Sequence, residues 1–353
     1  MTQRTDRLIK LEALAREKIL ILDGAMGTQI QDLKLDEAGY RGIRFADWVK
    51  PIKGNNDILN LTAPKAVKDI HTRYFESGAD IVETNTFSAT TIAQADYGME
   101  DLAAEIAREG ARLAREAADS HEALTGSPKG VAGAIGPTNK TLSISPDVND
   151  PGYRETCFDR VREAYYQQAK AMSEYVDFYL VETVFDTLNA KAAVKALIDL
   201  REDTGIDLPI MISGTITDKS GRTLSGQTAE AFWYSLRHAK PWAIGLNCAL
   251  GADELRPYIA EISRIADTRV LAYPNAGLPN DMGEYDETPQ ETADHLAEWA
   301  YSGLVNIVGG CCGTTPAHIS AIATAAASAK PRVPSQRHRA MRLSGLEPFE
   351  LSA

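Results

Sequence analysis

LVNIVGGCCGTTPAHI, residues 304–319, sets the reading of the whole chain. An apolar run gives way to two glycines and two adjacent cysteines, and a helical pattern then opens near Pro316. A buried strand, a turn of small residues and a helix with proline in its first turn make one βα unit. The same order recurs in ILILDGAMGT from Ile19, ADIVETNTF from Ala79, GVAGAIGPTN from Gly130 and DFYLVETVFDT from Asp177. It recurs again in PIMISGTIT from Pro209, AIGLNCALG from Ala243 and RVLAYPNAG from Arg269. Helical patterns start near Asp101, Glu155, Thr187, Thr228 and Pro289. Another spans residues 253–266, with Asp253 as its expected cap and Pro257 tolerated in or near the first turn. Apolar strands alternating with amphipathic helices predict a parallel sheet covered by helices. Eight units predict a single-domain α/β fold, a (β/α)8 TIM barrel, with a doubly wound open sheet as the alternative. Residues 19–330 form that barrel. Residues 1–18 read as an N-terminal helical extension, and residues 331–353 as a disordered or loosely packed tail.

The 353 residues are 44% hydrophobic, enough for a large core, and carry a formal charge of −12. The basic residues are scattered, which argues against nucleic acid as a partner. No apolar run is long enough to span a bilayer and the first residues lack a secretory signal, so a cytoplasmic location is expected. Four cysteines in a chain this long are too few and too unevenly placed for a disulfide framework.

In such barrels the residues that close the strands converge. Here they are Asp23 and Gly24, Glu83 and Asn85, Gly136 and Asn139, Glu182 and Asp186, Ser213 and Thr215, Asn247 and Cys248, Asn275, and Cys311 and Cys312. Three of the four cysteines therefore meet on one rim, although Cys248 and Cys311 lie 63 positions apart (311 minus 248). Zinc accepts cysteine sulfur readily, and three protein ligands leave a fourth position for water or substrate. Three thiolates around a dication leave a net charge of −1, which disfavours hydrolysis and suits alkyl transfer to a substrate thiol. The six histidines, His71, His121, His238, His295, His318 and His338, close no strand and are assigned surface or helix-packing roles. Cys157 is placed inside a helix with a structural role. Glu182, Asp23 and Glu83 suit an α-amino group, and the N–H groups of the turn 23–27, including Gly24 and Ala25, suit an α-carboxylate. Asn247 and Asn275 complete the polar rim as binding candidates. Asp186 and Glu83 also admit a plain helix-capping role.

LDGAMGTQI, ETNTF, GPTN, SISPDVNDP, ETVFDTLNAKAA, MISGTITDKSGRTLSGQT, GLNCALG, PNAGLPN and NIVGGCCGTTPAHI together resemble the N-terminal homocysteine-binding domain of cobalamin-dependent methionine synthase. The wider family includes betaine and S-methylmethionine homocysteine methyltransferases. The resemblance runs from about residue 19 to about residue 348. It implies zinc on Cys248, Cys311 and Cys312, and L-homocysteine held by Asp23, Gly24 and Glu182. It also implies Asn275 in the open metal position when substrate is absent. In the full-length synthase, folate-binding, cobalamin-binding and reactivation domains follow. The ELSA ending departs from that pattern and gives the expectation of a naturally split enzyme. Its methyl donor would be methylcobalamin on a separate corrinoid- or folate-binding protein. Direct transfer from betaine or S-methylmethionine is the alternative, with Tyr273, Tyr285 and Trp233 as candidates for an aromatic cage. A non-catalytic zinc- or thiol-binding module is the reading from a different class.

Overall fold

A computed structural model describes residues 3–217, 220–336 and 340–351. Eight parallel strands form its centre: β1 (Leu20–Ile21), β2 (Ile81–Glu83), β3 (Gly130–Ile135), β4 (Phe178–Val184), β5 (Ile210–Gly214), β6 (Ala243–Gly251), β7 (Arg269–Asn275) and β8 (Ile307–Val308). Each pairs with its sequence neighbour, β1 pairs with β8, and a parallel bridge between Leu22 and Ile81 closes the ring. The fold is therefore a (β/α)8 barrel in a single domain, and the open-sheet alternative is excluded.

The apolar runs are continuous because both faces of every strand are covered. Ile21, Val82, Val131, Tyr179, Ile212, Ile244, Val270 and Val308 point outward into the layer beneath the helices. Leu20, Ile81, Ala132, Phe178, Leu180, Met211, Ala243, Leu271 and Ile307 point inward and form a second, separate cluster. Gly245 sits where strands press closest: a Cβ there would lie 1.7 Å from the Leu271 carbonyl oxygen.

The N-terminal segment is helical, as α1 (Gln3–Glu17), but it is the barrel's floor rather than an appendage. Leu11 and Ala15 enter the inner cluster from below. Polar contacts ring that plug: Arg7 pairs with Asp177 at 2.8 Å, Lys18 with Asp80 at 2.8 Å and Arg269 with Glu12 at 2.6 Å, while Trp242 Nε1 donates to Glu12 at 2.9 Å.

The C-terminal segment also departs from expectation. Its described residues include an antiparallel hairpin, β9 (Met341–Ser344) with β10 (Pro348–Leu351), packed on the helix Ala229–Leu236, where Ser344 Oγ donates to Ala231 O at 2.7 Å. Ahead of it, the buried Arg332 guanidinium donates to Ser263 O and Ala266 O at the end of the helix Ala252–Ile265. A cation on those unpaired carbonyls is favourable. Strands of four residues are too short to announce themselves by periodicity.

Helices follow every barrel strand, with smaller corrections. Gly251, not Asp253, caps the helix Ala252–Ile265, and Pro257 lies in its second turn. Cys157 is the exposed N-cap of the helix Phe158–Met172, not a residue packed inside it. His338 lies outside the described residues. No helix among the described residues is long and apolar enough to cross a membrane.

Leu11 is fully buried, so Leu11→Ala is expected to lower stability by about 2–5 kcal/mol in denaturant titrations. Bound zinc per folded molecule should be unchanged, because the floor lies at the opposite end from the strand-end site.

Candidate functional site

β6 carries the decisive local feature. Ile244 and Leu246 face outward, so strict alternation would turn Cys248 outward too, into the helix layer. Instead Cys248 and Ala249 take left-handed backbone, φ 60° and 57°, and the register with β7 shifts between Asn247 and Gly251. That irregularity re-aims the Cys248 side chain into the barrel mouth.

Cys311 and Cys312 lie beyond the short β8, yet their backbone remains tethered. Gly310 N donates to Asp23 O at 3.0 Å and Cys311 N to Pro274 O at 2.7 Å. Thr314 turns the chain back, its N–H and hydroxyl both donating to Cys311 O, at 3.0 and 2.7 Å. Gly313 has φ 81°, and a Cβ there would lie 2.3 Å from the Tyr285 Cβ, so this position admits only glycine while Tyr285 covers the turn.

The three sulfurs all lie within 4.8 Å of one another, and Cys248 Sγ is 3.8 Å from Cys312 Sγ. Zn–S bonds of about 2.3 Å at tetrahedral angles put sulfurs roughly 3.8 Å apart. The spacing fits a shared metal ion and is far too long for a disulfide, whose S–S length is about 2.04 Å. Among themselves the thiols share protons unevenly. Hydrogen bonds from Cys248 and Cys311 draw Cys312 down to about 3, and those with Cys248 and Cys312 hold Cys311 well above the usual thiol range. Such a set gives up its protons to a soft dication.

Beside the sulfurs stand three acids. Glu83 N donates to both oxygens of Asp23 at 3.1 Å, and the Tyr273 hydroxyl donates to Glu182 Oε2 at 3.4 Å. Burial first, and then the neighbouring acids, raise Asp23 and Glu83 well above the carboxylate range; burial pushes Glu182 up to about 8. Among the described residues no Lys or Arg offsets any of the three, so their site favours a cation supplied from outside.

The sulfurs and two of the acids, Glu83 and Glu182, open into one cavity of about 1220 Å³. Gly24, Ala25, Glu83, Glu182, Cys248, Cys311 and Cys312 line it, whereas Asp23, Asn247 and Asn275 are buried just behind its wall. The Ala25 N–H is committed to Thr314 Oγ1 at 3.1 Å. Asn275 Oδ1 accepts from Cys312 N at 3.1 Å, which braces the cysteine turn. Asp186 caps the helix Thr187–Thr204. None of the described histidines lines the cavity: His71 is buried in the helix Pro64–Glu76, and His318 caps the helix Pro316–Ala326. Of the cage candidates, Tyr273 and Tyr285 line the cavity, while Trp233 is buried in the helix Ala229–Leu236. Sequence reasoning missed Asn56, Asp57 and Thr183 on the wall. Their signal, a polar cluster in the long β1-to-helix connection and one threonine after Glu182, carries no motif by itself.

Residues 20–326 match the model of the homocysteine S-methyltransferase family. The chain belongs to that family. It is a methyltransferase, and homocysteine is the family's substrate. The fold is shared with the Escherichia coli homocysteine methyltransferase MmuM. Its metallated form is 20% identical with TM-score 0.68, the match covering 89% of this chain and 98% of that one. Its oxidised form is 21% identical with TM-score 0.69, covering 90% and 99%. At this level of identity the likeness is one of architecture.

The raised Glu182 carries a sign. Folded Glu182 keeps a proton that the unfolded chain releases, so its contribution to stability is complete below about 4.5 and is lost as pH rises through about 8. Chemical denaturation of metal-free protein across this window checks it. The stability difference, wild type minus Glu182→Gln, should fall with rising pH; a flat difference means that Glu182 is not held protonated.

Proposed function

We propose that the chain is a zinc-dependent homocysteine S-methyltransferase that forms methionine, with the methyl group arriving on a corrinoid carried by a separate protein. The observation that carries the reading is the trio Cys248, Cys311 and Cys312 beside an acid cluster with no counter-cation among the described residues. Zinc held by these sulfurs would supply a Lewis acid that keeps a coordinated thiol deprotonated near neutral pH.

The chain's own groups do the rest. Glu83 and Glu182 take the substrate ammonium, releasing any proton they hold to solvent as it enters, while Asp23 behind them braces the Glu83 backbone and adds negative charge. The Tyr273 hydroxyl orients Glu182, and the start of the short helix Met26–Gln31, which lines the cavity, would offer N–H groups to the carboxylate. Substrate sulfur so placed attacks the methyl carbon opposite its leaving group: an S–CH3 bond forms from a sulfur electron pair, and the pair of the breaking bond stays with the donor. No general base is needed in that step, and holding sulfur and methyl in line supplies much of the rate.

The cavity supports a bulky donor. Pockets for small ligands run roughly 300–1,000 Å³, whereas about 1220 Å³ is open here. A second reading, direct transfer from betaine or S-methylmethionine, draws on the aromatic lining by Phe185, Tyr273 and Tyr285, faces that an onium group uses.

Zinc-loaded protein given homocysteine and, separately, methylcobalamin, S-methylmethionine or betaine is expected to form methionine fastest with methylcobalamin. Formation only with a small onium donor would replace the corrinoid reading with the second one. Cys311→Ser should lose both zinc and turnover, measured by metal analysis and methionine yield; wild-type values for both would remove Cys311 from the site.

A further inference from the structure

Asn247 does not line the cavity, yet it joins four of the segments that build the site. The side chain is fully buried. Its Oδ1 accepts from Ser213 Oγ of β5 at 2.6 Å and from Thr183 N of β4 at 3.2 Å. Its Nδ2 donates to Thr183 Oγ1 at 2.9 Å and meets Cys311 Sγ at 3.8 Å, while its own carbonyl accepts from Thr215 Oγ1 at 3.0 Å. One amide thus links the ends of β4, β5 and β6 to the cysteine turn after β8.

The links fall where the backbone is least favourable. Five non-glycine residues among those described have positive φ, and three of them, Thr183 at 55°, Cys248 at 60° and Ala249 at 57°, flank this amide. A β-branched residue in that region persists only when its surroundings impose it. Thr183 follows Glu182, and both its N–H and its hydroxyl are tied to Asn247, so the amide aims Glu182 as well as Cys311.

We propose that Asn247 is a positioning residue with two separable actions: Nδ2–H orients the Cys311 sulfur and stabilises its negative charge for the metal, and Oδ1 holds Thr183 left-handed so that Glu182 faces the amine pocket. This rests on the sulfur trio as a metal centre and on Glu182 as an amine acceptor. Outer hydrogen bonds of this kind orient ligands that bind metal directly.

The test uses two variants and two readouts that need no turnover. Zinc affinity is measured by chelator competition, and L-methionine, which lacks a thiol, probes the amine pocket of metal-free protein by calorimetry. Asn247→Asp keeps Oδ1 on Ser213 and Thr183 but puts an oxygen where Nδ2–H meets Cys311. Followed at mildly alkaline pH, where the new carboxylate is ionised, it should lose zinc affinity about 10–100-fold and keep methionine affinity within about twofold. Asn247→Ala should lose both, and adding Thr183→Gly, which takes positive φ freely, should restore methionine binding without restoring zinc. Wild-type zinc affinity in Asn247→Asp overturns the first action. Unchanged methionine affinity in Asn247→Ala overturns the second. A wild-type protein that binds no zinc at all would instead be a failure of the metal-centre reading.

Discussion

Three sulfurs meet at one end of this barrel because β6 leaves strand geometry at Cys248. A pleated strand sends neighbouring side chains to opposite faces, and Asn247 and Cys248 are neighbours that both serve the mouth. The left-handed pair Cys248 and Ala249 resolves the conflict. Without it one sulfur would lie under the helices, and Cys311 and Cys312 would be two vicinal thiols with nothing opposite them. The backbone cost is met by packing and by the hydrogen bonds around Asn247.

The charge pattern follows from that convergence. Sulfurs that share protons line one cavity with Glu83 and Glu182, whose carboxyls, like that of Asp23 behind them, burial pushes up, and no lysine or arginine among the described residues balances the acids. On the proposed function, such a site takes two cations of different softness, a metal at the thiols and an ammonium at the carboxylates. A substrate that carries an amine at one end and a thiol at the other bridges them. This complementarity, together with membership of the homocysteine S-methyltransferase family, is why the arrangement reads as a device for presenting one sulfur to a methyl group.

Much of this was legible in the chain because barrel physics makes it so. Strands covered on both faces must be apolar throughout, and the residues that end them must converge, so the cysteines and acids stood out at the ends of the runs. What stayed hidden depends on geometry that one-dimensional pattern does not carry. Alternation alone misdirects Cys248, and only the backbone angle corrects it. Asn275 and Asn247 look like rim residues, but their amides face Cys312 N and Thr183. The helix α1 gave no sign of being a floor, since Leu11 and Ala15 find their partners in strands distant in sequence. The hairpin β9–β10 was missed because four-residue strands are shorter than any period that betrays them.

The central claim is that β6 and the turn after β8 supply three sulfurs to a single metal ion. X-ray absorption at the zinc edge of the loaded, substrate-free protein tests it most directly. The account predicts a shell of three sulfurs at about 2.3 Å with one lighter ligand, dropping to two sulfurs in Cys248→Ser. A shell of nitrogen and oxygen alone, or a sulfur count unchanged by that substitution, would contradict it.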